Sequence, residues 1–370
     1  MKDLKSDFKV LQNQNGKNVK AAFTIRPFVD DDAEQVAHLI HKYFPWQQNI
    51  DIKLLVQKIT SDFARSESTP SLVCSNQYGK IHGYITVKTT EFLFKDKLVK
   101  GVTCSDFTVT EEARAALVPI RMLQTLLKGP QDFSFSDHAS NISRLLWCKL
   151  GGEIAYPYSN YYNMPLRPFM FLLKHVNKNS SPWINAMTHP LALFMDKSYE
   201  ATRLIKNRSI KATQYRVIEL DRNSFKEVLT SLKGNYQLFP YFNEEYFENY
   251  LIMLKEQSQF GKLRAKAVIN KSQNVIGWFI YQMEQQNRCS VIQAECLPGM
   301  EDMLIDQLKL DAFRNGCINI SGRTSPSQFG TTFTDHLFNR PGKKWGLIHS
   351  KNQELLHVIQ SGKAFLASNF

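Results

Sequence analysis

The sequence predicts an α/β protein made of two tandem domains, each a mixed, mostly antiparallel sheet flanked by helices. Three observations predict it. The order β-α-α-β-β-β-α-β-α-β is complete by about residue 170 and recurs beyond residue 211. Gly83 and Gly277 stand at matching places in two apolar hairpins. Between the copies lies NKNSSPWINAMTHP, a turn-rich linker. The expected bounds are 1–175 for the first domain, 176–210 for the linker with a connecting helix at Leu191–Ile205, and 211–370 for the second domain.

FTIRPF alternates as a half-buried strand, and DDDAEQVAHLIHKYF then has helical spacing with acids in its first turn. A second helix is expected at Ile52–Phe63. SLVCSNQYGKIHGYITVK reads as a hairpin around Gly79, and EFLFKDKLVKGVTCSDFTV continues the meander. A helix starts at Pro119, with Ile120, Leu123, Leu126 and Leu127 on one face. The proline's missing N–H breaks no bond in a first turn. DFSFS is a strand, SNISRLLWCKLGG a helix ended by glycine, and EIAYPYSNYYNMP a final aromatic strand pair. In the second copy YRVIEL, FNEEYFENYLIML, RAKAVINKSQNVIGWFIYQM, CSVIQAE, GMEDMLIDQLKLDAFRNG and CINISG repeat the order.

Of the 370 residues 43% are hydrophobic and 12% aromatic, enough for a packed core. The N-terminal residues contain no apolar stretch of signal-peptide type, and MPLRPFMFLLKHV is too short and interrupted to span a bilayer. A soluble cytoplasmic protein is expected. Cys74, Cys104, Cys148, Cys289, Cys296 and Cys317 form no CxxC pair and have no histidine at zinc-ligand spacing. Reduced thiols and no metal follow as expectations. The formal charge of +12 favours anionic partners, but no DNA- or RNA-reading motif accompanies it.

The element order, with the stretch VTEEARAALVPIRMLQTLL and with SDHASNISRLLWCKLGGEI, resembles the GNAT acyltransferase superfamily. The resemblance covers nearly the whole chain as pattern, and about Val99–Pro165 as motif. It implies a splayed fork between strands four and five that takes the pantetheine of an acyl donor. The pyrophosphate then rests on N–H groups at the next helix start, which carries unpaired donors and partial positive charge. The family's Q/R-x-x-G-x-G/A loop is matched by Arg114, Ala115, Ala116, Leu117, Val118 and Pro119: the arginine fits, and both glycine positions are lost. In N-x-x-A-x-x-L-Y-x-K-x-G-F, Ser140 takes the asparagine position with Asn141 beside it, and Trp147 takes the tyrosine, which an indole cannot replace as an acid. The implied donor-binding residues are Phe107, Val109, Arg114, Leu117, Val118, Ser140 and Asn141.

An amine nucleophile wants a base, and Asp106 in CSDFTV lies where some family members place one. Alternation puts it on the face of Val102 and Cys104. The alternative is a strand-end aspartate bound to backbone or water, and His138 and the tyrosines of YPYSNYY are further candidates. In the second copy Glu301 and Asp302 would repel a pyrophosphate, and Arg323 is a candidate for an anionic acceptor group or a structural ion pair. The leading expectation is an N-acyltransferase taking an acyl group from acyl-CoA or an acidic acyl carrier protein to an amine-bearing small molecule or peptide held between the two domains. The rivals are a transferase resembling the Fem family, using aminoacyl-tRNA, and a catalytically inactive GNAT-like binding protein.

Overall fold

The computed structural model describes residues 23–48, 50–60, 68–176, 188–198, 215–258, 261–284, 287–324, 326 and 344–366. They form two compact units, each with its own mixed sheet and helices. The first unit comprises residues 1–155 with 345–357, and the second 156–344 with 358–370.

Chain order in the first unit is β1 (Thr24–Pro27), α1 (Ala33–Tyr43), α2 (Ile52–Thr60), β2 (Leu72–Ser75), β3 (Ile81–Phe94), β4 (Lys97–Val109), α3 (Glu111–Ala115), α4 (Val118–Leu127), β5 (Phe133–Ala139), α5 (Asn141–Lys149) and β6 (Glu153–Ile154). Of the helix expected at Ile52–Phe63, residues 61–63 lie outside the described residues. The α4 helix buries Val118, Met122, Leu123, Leu126 and Leu127, an i, i+4, i+5 stripe, against one face of the sheet. Helices α1 and α2 pack Val36, Ala37, Ile40, Leu55 and Ile59 against Val73, Ile81 and Tyr84 on the other.

The second unit holds β7 (Tyr161–Pro165), α6 (Pro168–Val176), a helix α7 at 188–198, β8 (Tyr215–Glu219), α8 (Arg222–Leu232), β9 (Leu238–Pro240), α9 (Glu244–Gln257), β10 (Lys262–Asn270), β11 (Val275–Met283), β12 (Arg288–Cys296), α10 (Glu301–Arg314) and β13 (Asn319–Arg323). Helix α7 begins before the expected Leu191, and 199–205 lie outside the described residues. The buried Asp196 carboxylate accepts the Phe169 and Met170 N–H groups at 3.0 Å, tying α7 to the first turn of α6.

Strand partners differ from the simple repeat. The first sheet runs β1-β2-β3-β4-β5-β14-β6, where β14 is Trp345–Ser350, far along the chain. The second runs β7-β13-β12-β11-β10-β8. EIAYPYSNYYNMP is therefore not a strand pair of the first unit: β6 belongs to the first sheet and β7 to the second. A short strand carries no local mark of its partner; register is fixed by which apolar face it completes. The expected boundaries at 175 and 211 accordingly differ from the compact units.

The cysteines also depart from expectation. Cys289 in β12 and Cys317 just before β13 form a disulfide, with Cα atoms 6.1 Å apart. The parallel pairing of β12 with β13 brings together two residues that no spacing motif connects. Cys74, Cys104 and Cys296 are buried thiols, and Cys148 is exposed. Among the described residues no group of three or more His, Cys, Asp or Glu is placed to hold a metal ion. None of their helices is long and apolar enough to cross a membrane.

Candidate functional site

In the first unit β4 and β5 pair in parallel only from Gly101–Phe133 to Thr103–Phe135. Beyond that point β4 continues to Val109 and β5 to Ala139, so the two strands part as a fork. A bulge lies in the open arm. Tyr84 faces Thr108 and Thr86 faces Ser105, leaving Asp106 and Phe107 together opposite Ile85. Asp106 has φ +48°, the left-handed conformation that aspartate tolerates better than most residues.

The bulge corrects the alternation expected for Asp106. Phe107 and Val109, not Asp106, join Val102 and Cys104 in the core cluster under α4. Asp106 turns to the other face, where its Oδ2 accepts the Thr86 hydroxyl at 3.2 Å. The neighbouring Tyr84 phenol is pushed up to about 12, by burial above all and further by the Asp106 charge. Tyr84 thus keeps its proton near neutral pH.

The strand-to-helix junction contains a turn that its sequence did not announce. Thr110 caps α3 by accepting the Ala113 N–H at 3.4 Å, and α4 starts only after Leu117. Arg114 donates from Nε to the Val109 carbonyl at 2.8 Å, and its guanidinium lies 5.5 Å from the Tyr43 ring centre. It is anchored by backbone while remaining exposed. Leu117 holds φ +58° with its side chain 61% exposed, and no side chain caps α4. Val118 is buried. Pro119 in the first turn removes one donor. The junction fits an anion less closely than a glycine loop would, with one arginine beside it.

At the end of β5, Ser140 Oγ accepts the Ser143 N–H at 3.2 Å and caps α5. Asn141 Oδ1 accepts the Trp345 indole N–H at 2.7 Å. Arg144 stacks 4.6 Å from the Trp345 ring centre, and its buried Nε has no hydrogen-bond partner among the described residues. Trp147 is buried in the core against Gly152. The buried Asp137, 3.0 Å from His138 Nδ1, lies in the part of β5 beyond its pairing with β4. Sequence reading missed Asp137, Arg144 and Trp345. An acid in the middle of a strand's second half, beside His138, was the available signal for the first, and nothing local marked the third.

The second unit repeats the fork. Strands β12 and β13 pair from Arg288–Asn319 to Val291–Gly322 and then part, with a bulge at Ile292. Its junction is already filled: the Glu301 carboxylate accepts the Gly299 N–H at 3.1 Å ahead of α10. Asp302 adds a second acid in the same turn. Arg323 donates to the Leu366 carbonyl at 3.2 Å, so it grips backbone.

No protein-family model and no curated protein sequence matches this chain significantly. Solved structures do. A GCN5-related N-acetyltransferase from Anabaena variabilis is similar with TM-score 0.57 at 10% identity, over 90% of this chain and 73% of that one. A probable N-acyltransferase from Enterococcus faecalis gives 0.54 at 8% identity, over 89% and 72%. Saccharomyces cerevisiae N-myristoyltransferase, solved with bound myristoyl-CoA and inhibitors, gives 0.52 at 13% identity, over 90% and 80%. Two forked mixed sheets, each with a bulge in the open arm, accord with these matches: the chain has a two-domain GNAT-like fold.

Proposed function

We propose that this protein is an N-acyltransferase that moves an acyl group from a thioester donor to a primary amine, with the donor in the first unit. The observation that carries the proposal is the fork between β4 and β5, opening beside an uncapped helix start. In the second unit the equivalent helix start is covered by Glu301. The donor would run along the β4 arm at Phe107 and Val109. Arg114, Leu117 and Val118 would border its phosphates, and Ser140 and Asn141 the opposite arm. Arg144 is an additional cation on that arm.

The amine nitrogen attacks the thioester carbonyl carbon, forming the C–N bond as the C–S bond breaks. Asp106, or a water it holds, takes the amine proton, and Thr86 fixes the carboxylate. The departing thiolate takes a proton from solvent, since a free thiol's ordinary pKa near 8.5 makes that departure feasible without an acid. Acyl-CoA is the donor class supported by the yeast enzyme's bound myristoyl-CoA. An acidic acyl carrier protein suits the +12 charge and the weakened phosphate loop. A second reading, a binding protein without turnover, is favoured by Leu117 and Pro119 in the loop and by the burial of Trp147.

The test is a thermal-shift panel with acetyl-CoA, long-chain acyl-CoA, acylated carrier protein and tRNA, followed by thiol release with a panel of amines. A thioester that raises the melting point and an amine that then releases thiol would establish transfer. Thioester binding without thiol release from any amine would establish the binding-protein reading, and stabilisation by tRNA alone would replace both.

A further inference from the structure

The fork of the second unit is occupied by the chain itself. Ala364, Phe365 and Leu366 wall its cavity together with Ile292–Glu295 of β12 and Arg323 at the end of β13. Their backbone is held by residues distant in sequence. Gln237 N–H donates to the Lys363 carbonyl at 2.9 Å, and Phe365 N–H donates to the Leu238 carbonyl at 2.8 Å, making a parallel bridge to β9. The Tyr158 hydroxyl donates to the Ala364 carbonyl at 2.6 Å, and Arg323 donates to that of Leu366. Burial raises the Tyr158 pKa, so the phenol remains a donor.

The one large side chain of the segment enters a box of rings. Phe365 lies 5.0 Å from Phe239, 5.3 Å from Tyr236, and 6.4 Å from both Phe242 and Trp278, centre to centre. A cavity of about 30 Å³ remains beside it, room for a water. Main-chain pairing at a strand edge combined with one side-chain pocket is how extended peptides are recognised by strand addition.

We infer that the second unit's fork is a peptide-binding groove, latched by Lys363–Leu366, whose partner is an extended peptide carrying a phenylalanine-like side chain. Leu238, Tyr158 and Arg323 read the peptide backbone, and the box of Tyr236, Phe239, Phe242 and Trp278 reads the side chain. The inference stands independently of the donor assigned to the first unit. A tethered segment competes at an effective concentration of order millimolar, so a partner in trans binds well only when the latch is weakened.

The experiment uses the full chain and a fluorescein-labelled peptide corresponding to Gly362–Ser368, followed by anisotropy. The wild-type chain is expected to show no saturation below about 1 mM. Phe365→Ala in the full chain is expected to bind the peptide at least tenfold more tightly, and adding Arg323→Ala to reduce that binding about tenfold. Native-like circular dichroism with no peptide binding by Phe365→Ala overturns the inference, as does equal binding by both chains. If Phe365→Ala fails to fold, hydrogen exchange on the wild-type chain decides. Unlabelled peptide at about 10 mM, above the latch's effective concentration, should speed exchange of the Phe365 amide, and unchanged exchange there overturns the groove.

Discussion

Gly101 sits at the closed end of the first unit's fork, where it faces Phe133 across the parallel pair. A Cβ placed there would lie 2.4 Å from Phe133 Cζ and 2.6 Å from Phe92 Cε2, well inside contact distance. Those two rings pack edge to face at 5.1 Å and are both buried, so neither can swing into solvent. Overpacking of this kind costs about 1–3 kcal/mol, and the lower chain entropy of alanine returns about 0.5–1 kcal/mol in a strand. Gly101→Ala should therefore destabilise the protein by about 1 kcal/mol, and by no more than about 2.5 kcal/mol. Phe133→Leu removes the closest carbons and is destabilising alone, but in the double variant it should recover at least about 0.5 kcal/mol of the Gly101→Ala loss. Urea unfolding of all four proteins, read by far-ultraviolet circular dichroism, measures the cycle. Strict additivity would refute the argument, because it would mean that β4 shifts freely and the ring does not oppose the added methyl group.

Trp147→Phe should cost about 2 kcal/mol in the same assay through lost core volume, with turnover per folded molecule unchanged; a selective loss of turnover would mean that the indole meets substrate. Arg114→Ala should lower stability by about 1 kcal/mol through its Val109 hydrogen bond, and should weaken acyl-CoA binding by about as much again in calorimetry if the guanidinium also meets phosphate. Asp106→Asn should reduce thiol release about a hundredfold, whereas full activity against an identified amine would place the base elsewhere. Burial holds His82 below the ordinary histidine range despite Glu112 at 3.6 Å. The unfolded chain therefore takes up that proton first, and stability should fall as pH drops through about 6.5. His82→Gln should flatten that fall in urea midpoints measured between pH 7.5 and 5, and an unchanged slope would assign it to other groups.

Much of the first fork was legible because its signals are local. The end of β4 at Val109, the amphipathic stripe of α4 and the cap at Ser140 all follow from spacing and side-chain chemistry within a dozen residues. The bulge was not, since CSDFTV fits an unbroken alternation and only the register with β3 shows the extra residue. Nor were contacts made across long sequence distances. Trp345 on Asn141, the disulfide of Cys289 with Cys317 and Phe365 among its rings depend on pairings that no local periodicity encodes. The acids of the second junction were visible in the sequence as charges that would repel phosphate, but the hydrogen bond by which Glu301 takes up the Gly299 N–H was not.

The placement of β14 between β5 and β6 has a consequence for the order in which the molecule is made. A ribosome releases the last strand of the first sheet only after nearly all of the second unit has been synthesised. At about 5–20 residues per second, β5 and β6 wait roughly ten to forty seconds for the strand that separates them. During that interval β5 presents an unpaired edge, the kind of surface that seeks any extended chain. Cutting the gene near the middle would make that temporary state permanent. The two halves should then be recovered in folded form when produced together, and the first half alone should depend on chaperones or aggregate.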